Sequence, residues 1–169
     1  MFREMRRKKQ LLSSEECIEI LNKGTSGVFS VLGDDGYPYA VPLSYVYSDS
    51  KIYFHSANSG HKIDAIAKND KASFCVISQD TVVPQEYTTY FRSVIAFGKV
   101  RILEDGADKR IILEKLADKY SPDHKQGSLQ EIDKLFKQTC SLELTIEHMT
   151  GKESIELVKM KHHAAETSD

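Results

Sequence analysis

Tryptophan is absent from this sequence of 169 residues, cysteine occurs three times and proline four times. Each scarcity narrows the field. Cys17, Cys75 and Cys140 are an odd, widely spaced set with no CxxC pair. Neither a disulfide framework nor a cysteine zinc site is expected, and a reducing cytoplasm fits best. Apolar runs extend over only a few residues, far short of the roughly 20 that a membrane span requires, so no membrane partner is expected. Net charge is nearly lacking too: 23 Lys and Arg against 25 Asp and Glu leave −2. That balance does not suit a surface that wraps nucleic acid, and no nucleic-acid partner is expected. The histidines (His55, His61, His124, His148, His162, His163) form no metal-ligand spacing. GxGxxG, the Walker P-loop, GxSxG and HExxH are all missing, which removes the commonest nucleotide, hydrolase and metalloprotease readings. No nucleophile–base pair stands out.

What is present suffices for one ordinary domain. Hydrophobic residues make up 40% of the chain, and a chain of this length buries roughly 70% of its unfolded surface without staples. Residues 1–160 are expected to form that domain, with 161–169 as a polar tail that frays. Arg3, Arg6, Arg7, Lys8 and Lys9 make a basic start followed by Leu11-Leu12 and Ser13-Ser14-Glu15-Glu16. With no apolar h-region this is not an export signal but a solvated arm, or one lying across a partner subunit or an anionic ligand.

Ser13-x-x-Glu16 is a capping box that opens a helix, which Gly24 closes. Val28–Leu32 is β-rich, and Gly33-Asp34-Asp35-Gly36 is a turn. Tyr37, Tyr39, Val41, Leu43, Tyr45 and Tyr47 then alternate with smaller residues, which predicts one long strand. Pro38 and Pro42 cannot donate to a ladder, so that strand belongs at an edge or a bulge. Lys51–Ser56 and Lys71–Ser78 are further strands around a short helix carrying Ile63 and Ile66. Gln79–Thr89 is polar, contains Pro84 and reads as a loop. A strand over Tyr90–Leu103, an amphipathic helix over Asp105–Tyr120, a helical stretch over Leu129–Phe136 and a strand over Cys140–His148 follow. Thr150-Gly151 breaks the last strand, and Ser154–Val158 extends it. Many strands in short-range hairpins with a few helices predict an antiparallel barrel.

The segment His55-Ser56-Ala57-Asn58-Ser59-Gly60-His61-Lys62 leaves a strand, crosses small polar residues and opens a helix. Unpaired amides at a helix start, the Ser56 and Ser59 hydroxyls, Lys62 and His61 would together make a phosphate cradle. The competing reading has Ser59 as a plain N-cap and Lys62 simply exposed. The residues alone weigh the two evenly.

Several ordered motifs resemble a known family. They are Gly36-Tyr37-Pro38-Tyr39-Ala40-Val41-Pro42-Leu43-Ser44-Tyr45, Tyr53-Phe54-His55-Ser56-Ala57, Gly60-His61-Lys62, Ser93-Val94-Ile95-Ala96-Phe97-Gly98-Lys99-Val100 and Thr150-Gly151-Lys152. Together they are similar to the pyridoxamine 5'-phosphate oxidase-related flavoproteins. With the start Phe2-Arg3-Glu4-Met5-Arg6-Arg7, they resemble more narrowly the nitroimidazole-reductase (NimA-like) branch. The resemblance implies a mainly β, antiparallel FMN-binding split barrel with a few flanking helices, and a homodimer with FMN at the subunit interface. It places Val41, Pro42, Leu43 and Ser44 beside the isoalloxazine, partly through backbone groups, and His55, Ser56 and Ala57 along the ring and ribityl chain. It gives the phosphate to His61 and Lys62, with His61 where the oxidases carry arginine. It sets Ser93 on a flavin-contacting strand and lets Lys152 reach the site from the second subunit. The oxidases' C-terminal Trp and Arg, which read pyridoxal phosphate, have no match in a chain without Trp.

The activity implied is FMN-dependent electron transfer from a nicotinamide or other reductant to a small, nitroaromatic-like acceptor. The flavin would carry the chemistry, which agrees with the lack of a dedicated acid or base. Two other readings stay open: a flavin-binding module without turnover, and a binding protein for another ligand such as haem, with His55 or His148 as axial ligand.

Overall fold

In the computed structural model, which describes residues 1–167, the chain runs through α1 (Ser14–Lys23), β1 (Ser26–Leu32), β2 (Pro38–Ser44), β3 (Val46–Ser48), β4 (Lys51–Ala57) and α2 (His61–Lys68). It continues through β5 (Lys71–Val83), β6 (Thr88–Leu103), α3 (Ala107–Tyr120), α4 (Lys125–Leu135), β7 (Thr139–Glu153) and α5 (Ile155–Glu166). The strands form one seven-stranded sheet in the order β2-β1-β5-β6-β7-β4-β3, and every pairing is antiparallel. The mainly β architecture with flanking helices is therefore the one the sequence predicts. Alternate residues of the strands meet in one apolar core. Phe54 sits between Phe29 and Phe74, with ring centroids 5.1 Å and 5.0 Å away, and Val76, Val94, Leu142 and Leu144 are buried around them. Among the described residues, no helix is long and apolar enough to cross a membrane.

Local chemistry explains most boundaries. The Glu16 amide donates to Ser13 Oγ at 3.2 Å and the Ser13 amide donates to Glu16 Oε2 at 2.8 Å, completing the capping box at the start of α1. Pro38 and Pro42 lie on β2, which pairs only with β1 and is a sheet edge.

Four segments depart from the periodicity. The long tyrosine strand is interrupted at Tyr45, whose ring is buried and whose Oη donates to the Leu21 carbonyl at 2.8 Å. Its amide donates to Tyr120 Oη at 2.8 Å, and the Tyr120 hydroxyl lies 2.8 Å from the Tyr45 carbonyl. One side chain from the end of α3 thus replaces a neighbouring strand. The expected loop over Gln79–Thr89 is instead a two-stranded ribbon, with Gln79–Val83 paired to Thr88–Arg92 beyond a bulge at Ile77/Gln79. None of its residues is buried, so no apolar alternation marks it. Thr150-Gly151 does not break β7. Gly151 is there for close approach, since a Cβ would stand 2.4 Å from Cys17 Sγ. Ser154–Val158 turns into α5 rather than extending the strand, and the expected frayed tail continues this helix to Glu166. Ser168 and Asp169, the end of that tail, lie outside the described residues.

Outside the barrel, α3 packs Ile112 and Leu116 on Tyr53 and Leu103 in a second, smaller cluster. Arg110 ties α3 to α4 through Asp133. Lys109, almost fully buried, donates to Asp105 Oδ1 and to the Phe136 carbonyl, both at 2.7 Å, and so anchors the end of the hairpin.

Candidate functional site

On β4 the side chains of Ile52 and Phe54 enter the main core, while Tyr53 faces the other way, under α3. His55 follows Tyr53 at period two and so shares its face. There His55 and Ser44, from the end of β2, line a cavity of about 490 Å³. Leu113, Leu116, Ala117 and Tyr120 of α3 and Ile132 and Leu135 of α4 form its apolar walls. Solvent reaches His55 through the mouth, yet its imidazole makes no hydrogen bond within the described residues. Burial among apolar neighbours, and then the nearby Lys62 charge, hold its pKa below the ordinary histidine value. The ring is therefore uncharged at neutral pH.

The chain leaves β4 through Ser56 and Ala57, where the Ser56 hydroxyl donates to the Ala57 carbonyl at 3.0 Å. It enters α2 at Gly60, which adopts φ +118°, a conformation that favours glycine. Ser59 does not cap this helix, and no other side chain does, so the plain N-cap reading fails. Lys62, in the first turn, is half-buried, and burial pushes its pKa down. It makes no ion pair or hydrogen bond among the described residues. An unpaired ammonium beside uncapped amides is an anion-seeking arrangement.

His61 is committed elsewhere. Successive helical residues diverge by roughly 100°, and the His61 ring stacks on Tyr39 with centroids 4.2 Å apart. Its Nε2 lies 3.7 Å from Asp34 Oδ2 and accepts the Asp34 amide at 3.4 Å. Val41 and Leu43 pack against the core beside Tyr39, so they offer a ligand only backbone groups along the free edge of β2. Pro42 and Ser44 alternate outward and are exposed.

Ser93 and Lys152 are register partners on β6 and β7. The β7 residue opposite His55 is Ser141, at the other end of that strand. One chain therefore does not bring Ser93 and Lys152 to the group of Ser44, His55 and Lys62. The Lys152 ammonium lies over the Phe91 ring, 5.3 Å from its centroid. His148 is covered by Phe2, stacked at 4.7 Å with the planes 7° apart. Among the described residues no group of three or more His, Cys, Asp or Glu could hold a metal ion.

The walls contributed by α3 and α4 are what sequence reasoning missed. The amphipathic period of α3 predicts a buried stripe without saying what that stripe covers. Ile132 and Leu135 on the next helix were the available signal, because two amphipathic helices joined by a short turn must cover something between them.

An antiparallel sheet curled on one apolar core, with α2 at its seam and a helical hairpin outside, defines a split β-barrel. The chain belongs to the pyridoxamine 5'-phosphate oxidase family, whose sequence profile matches residues 13–153. Similar solved structures include a proposed 5-nitroimidazole antibiotic resistance protein from Bacteroides thetaiotaomicron, at 21% identity and TM-score 0.70, covering 85% of this chain and 86% of that one. A FAD-binding protein from Mesorhizobium loti is 26% identical at TM-score 0.60, covering 86% and 97%. A FAD and heme binding protein from Mycobacterium smegmatis is 22% identical at TM-score 0.71, covering 86% and 73%. No curated sequence matches significantly.

Proposed function

We propose that this chain is an FMN-dependent oxidoreductase that acts as a homodimer and passes electrons from a reductant such as a nicotinamide to a small acceptor, nitroaromatics included. The observation that carries the reading is a convergence at one seam. The apolar cavity with Ser44 and His55 stands beside an uncapped helix start with an unpaired, half-buried Lys62. A phosphate fits the second feature, and a flat ring laid along β2 from there borders the mouth of the first, which stays open for a second small molecule.

In this reading Lys62 and the first amides of α2 hold the phosphate, and His61 joins only by leaving Asp34. The free edge of β2 offers backbone donors and acceptors to the ring, and His55 lies beside it as a neutral hydrogen-bonding group. The flavin supplies the redox chemistry when bound. Ser93 and Lys152 join the site from the second subunit, since their own barrel holds them too far away. Exposed Val28, Ile77, Ile95 and Phe97 on the sheet face support such a partner.

The test is optical. Protein incubated with FMN and desalted is expected to retain a flavin spectrum that anaerobic nicotinamide donor bleaches. Protein that stays colourless sinks the reading, and bound flavin that is never reduced leaves a binding module instead. The haem alternative rests on His55 alone, because Phe2 covers His148; a Soret band after incubation with haemin would promote it.

A further inference from the structure

We propose that the cavity under α3 and α4 is the acceptor pocket and that Glu131 biases its charge preference. The pocket takes a small planar aromatic that is uncharged or positively charged, and turns anionic ones away. The assignment of an acceptor rests on the flavin reading above; the charge preference is tested independently of it.

At about 490 Å³, the cavity falls within the roughly 300–1,000 Å³ typical of small-molecule sites. Leu113, Leu116, Ile132 and Leu135 give it apolar walls that suit a flat, weakly hydrated ligand. Among the described residues, no lysine or arginine lines it, and Glu131 is the only lining residue with a formal charge, given that His55 is neutral. A substrate bearing a phosphate, carboxylate or sulfonate would lose its hydration there and find no cation in return. Lys134 approaches Glu131 only to 3.9 Å, and with the two side chains 74% and 60% exposed solvent screens both charges, so Glu131 biases a preference that the lack of a lining cation sets. The Lys119 ammonium, 5.8 Å from the Tyr120 ring centroid, is committed to the Gly24 carbonyl, and Lys62 acts at the His55 end, where the flavin phosphate would neutralise it. Charge complementarity at the mouth therefore favours a cation or a neutral ring over an anion.

Calorimetric titration of FMN-loaded protein with three redox-inert probes tests this: 2-naphthalenemethanol, 2-naphthylmethylammonium and naphthalene-2-sulfonate. The alcohol and the ammonium are expected to bind at least about tenfold more tightly than the sulfonate. Glu131→Lys is expected to improve the sulfonate about tenfold, weaken the ammonium by a similar factor and leave the alcohol within about twofold. Glu131→Gln should fall between. The proposal is overturned if the sulfonate binds the native protein as well as the alcohol or if Glu131→Lys leaves the ratios unmoved. It is equally overturned if no probe binds, or if the alcohol expels the flavin rather than binding beside it. Failure of the flavin reading looks different: the protein stays colourless with FMN, and the same titrations then report the charge preference alone.

Discussion

The two ends of β7 handle charge in opposite ways. At the end where α1 and α5 meet the sheet, the buried Glu153 carboxylate accepts Arg92 Nε at 3.0 Å and Lys161 Nζ at 2.7 Å. The same ammonium bonds Glu16 of α1, so a chain of paired charges staples both helices to the barrel. At the other end, beside the start of α2, Lys62 and His55 have no hydrogen-bonding partner among the described residues, and His55 lines a cavity. Burying a cation without a partner is costly, and a paired network offsets that cost where an isolated group cannot. The paired corner is scaffold. The unpaired seam is where a ligand would supply what the protein withholds.

The contrast can be broken most forcefully at the corner. Glu153→Gln is expected to cost about 2–3 kcal/mol, below the ~3–5 typical of fully buried pairs, because Arg92 and Lys161 are 34% and 39% exposed. A urea titration would read the loss, while FMN affinity per folded molecule should not move. Lys62→Ala is the converse. It should weaken FMN about tenfold or more, roughly 1.4 kcal/mol, and leave the urea midpoint of the flavin-free protein unchanged or raised. If Lys62→Ala unfolded the protein and Glu153→Gln released the flavin, the two regions would have been assigned backwards.

The smallest effects lie in pH. The Lys161 hydrogen bond first, and then the Ser13 amide, hold the Glu16 carboxyl below its ordinary value, while burial and Lys62 hold the His55 imidazole below its own. In both cases the unfolded chain binds the proton more readily, so stability rises with pH across each range. The Glu16 contribution is present above the ordinary glutamate value of about 4.3 and is lost as pH falls through its lower folded value. The His55 contribution is present above about 6.5 and is lost as pH falls below it. Urea midpoints across this interval should show Glu16→Gln flattening the acid limb and His55→Gln flattening only the limb near pH 6.

Much of the fold was legible because its signals are local. The capping box names both partners within four residues, and two prolines cannot sit in the interior of a sheet. The errors share one cause. Tyr45 alternates correctly but is taken out of its strand by Tyr120, far along the chain. Gly151 reads as a breaker until Cys17 is seen above it. The 79–92 ribbon has no buried face and hence no period. At the site, the small polar run into α2 marked Lys62, but His61 beside it was drawn off by Tyr39 and Asp34, and the α3–α4 walls carried no motif.

By itself the sequence determined the mainly β class, the edge placement of β2, the start of α1 and the segment around Lys62. Each follows from bonding or steric rules that act within a few residues. Only the tertiary structure decided which cations are paired and which are left alone. It also decided that Ser44 and His55 share a cavity with two later helices, and that Ser93 and Lys152 stand at the far end of β7. Those outcomes depend on which distant side chains the curled sheet brings together. Hydrogen bonds, ion pairs and burial reward proximity in space, whatever the separation along the chain.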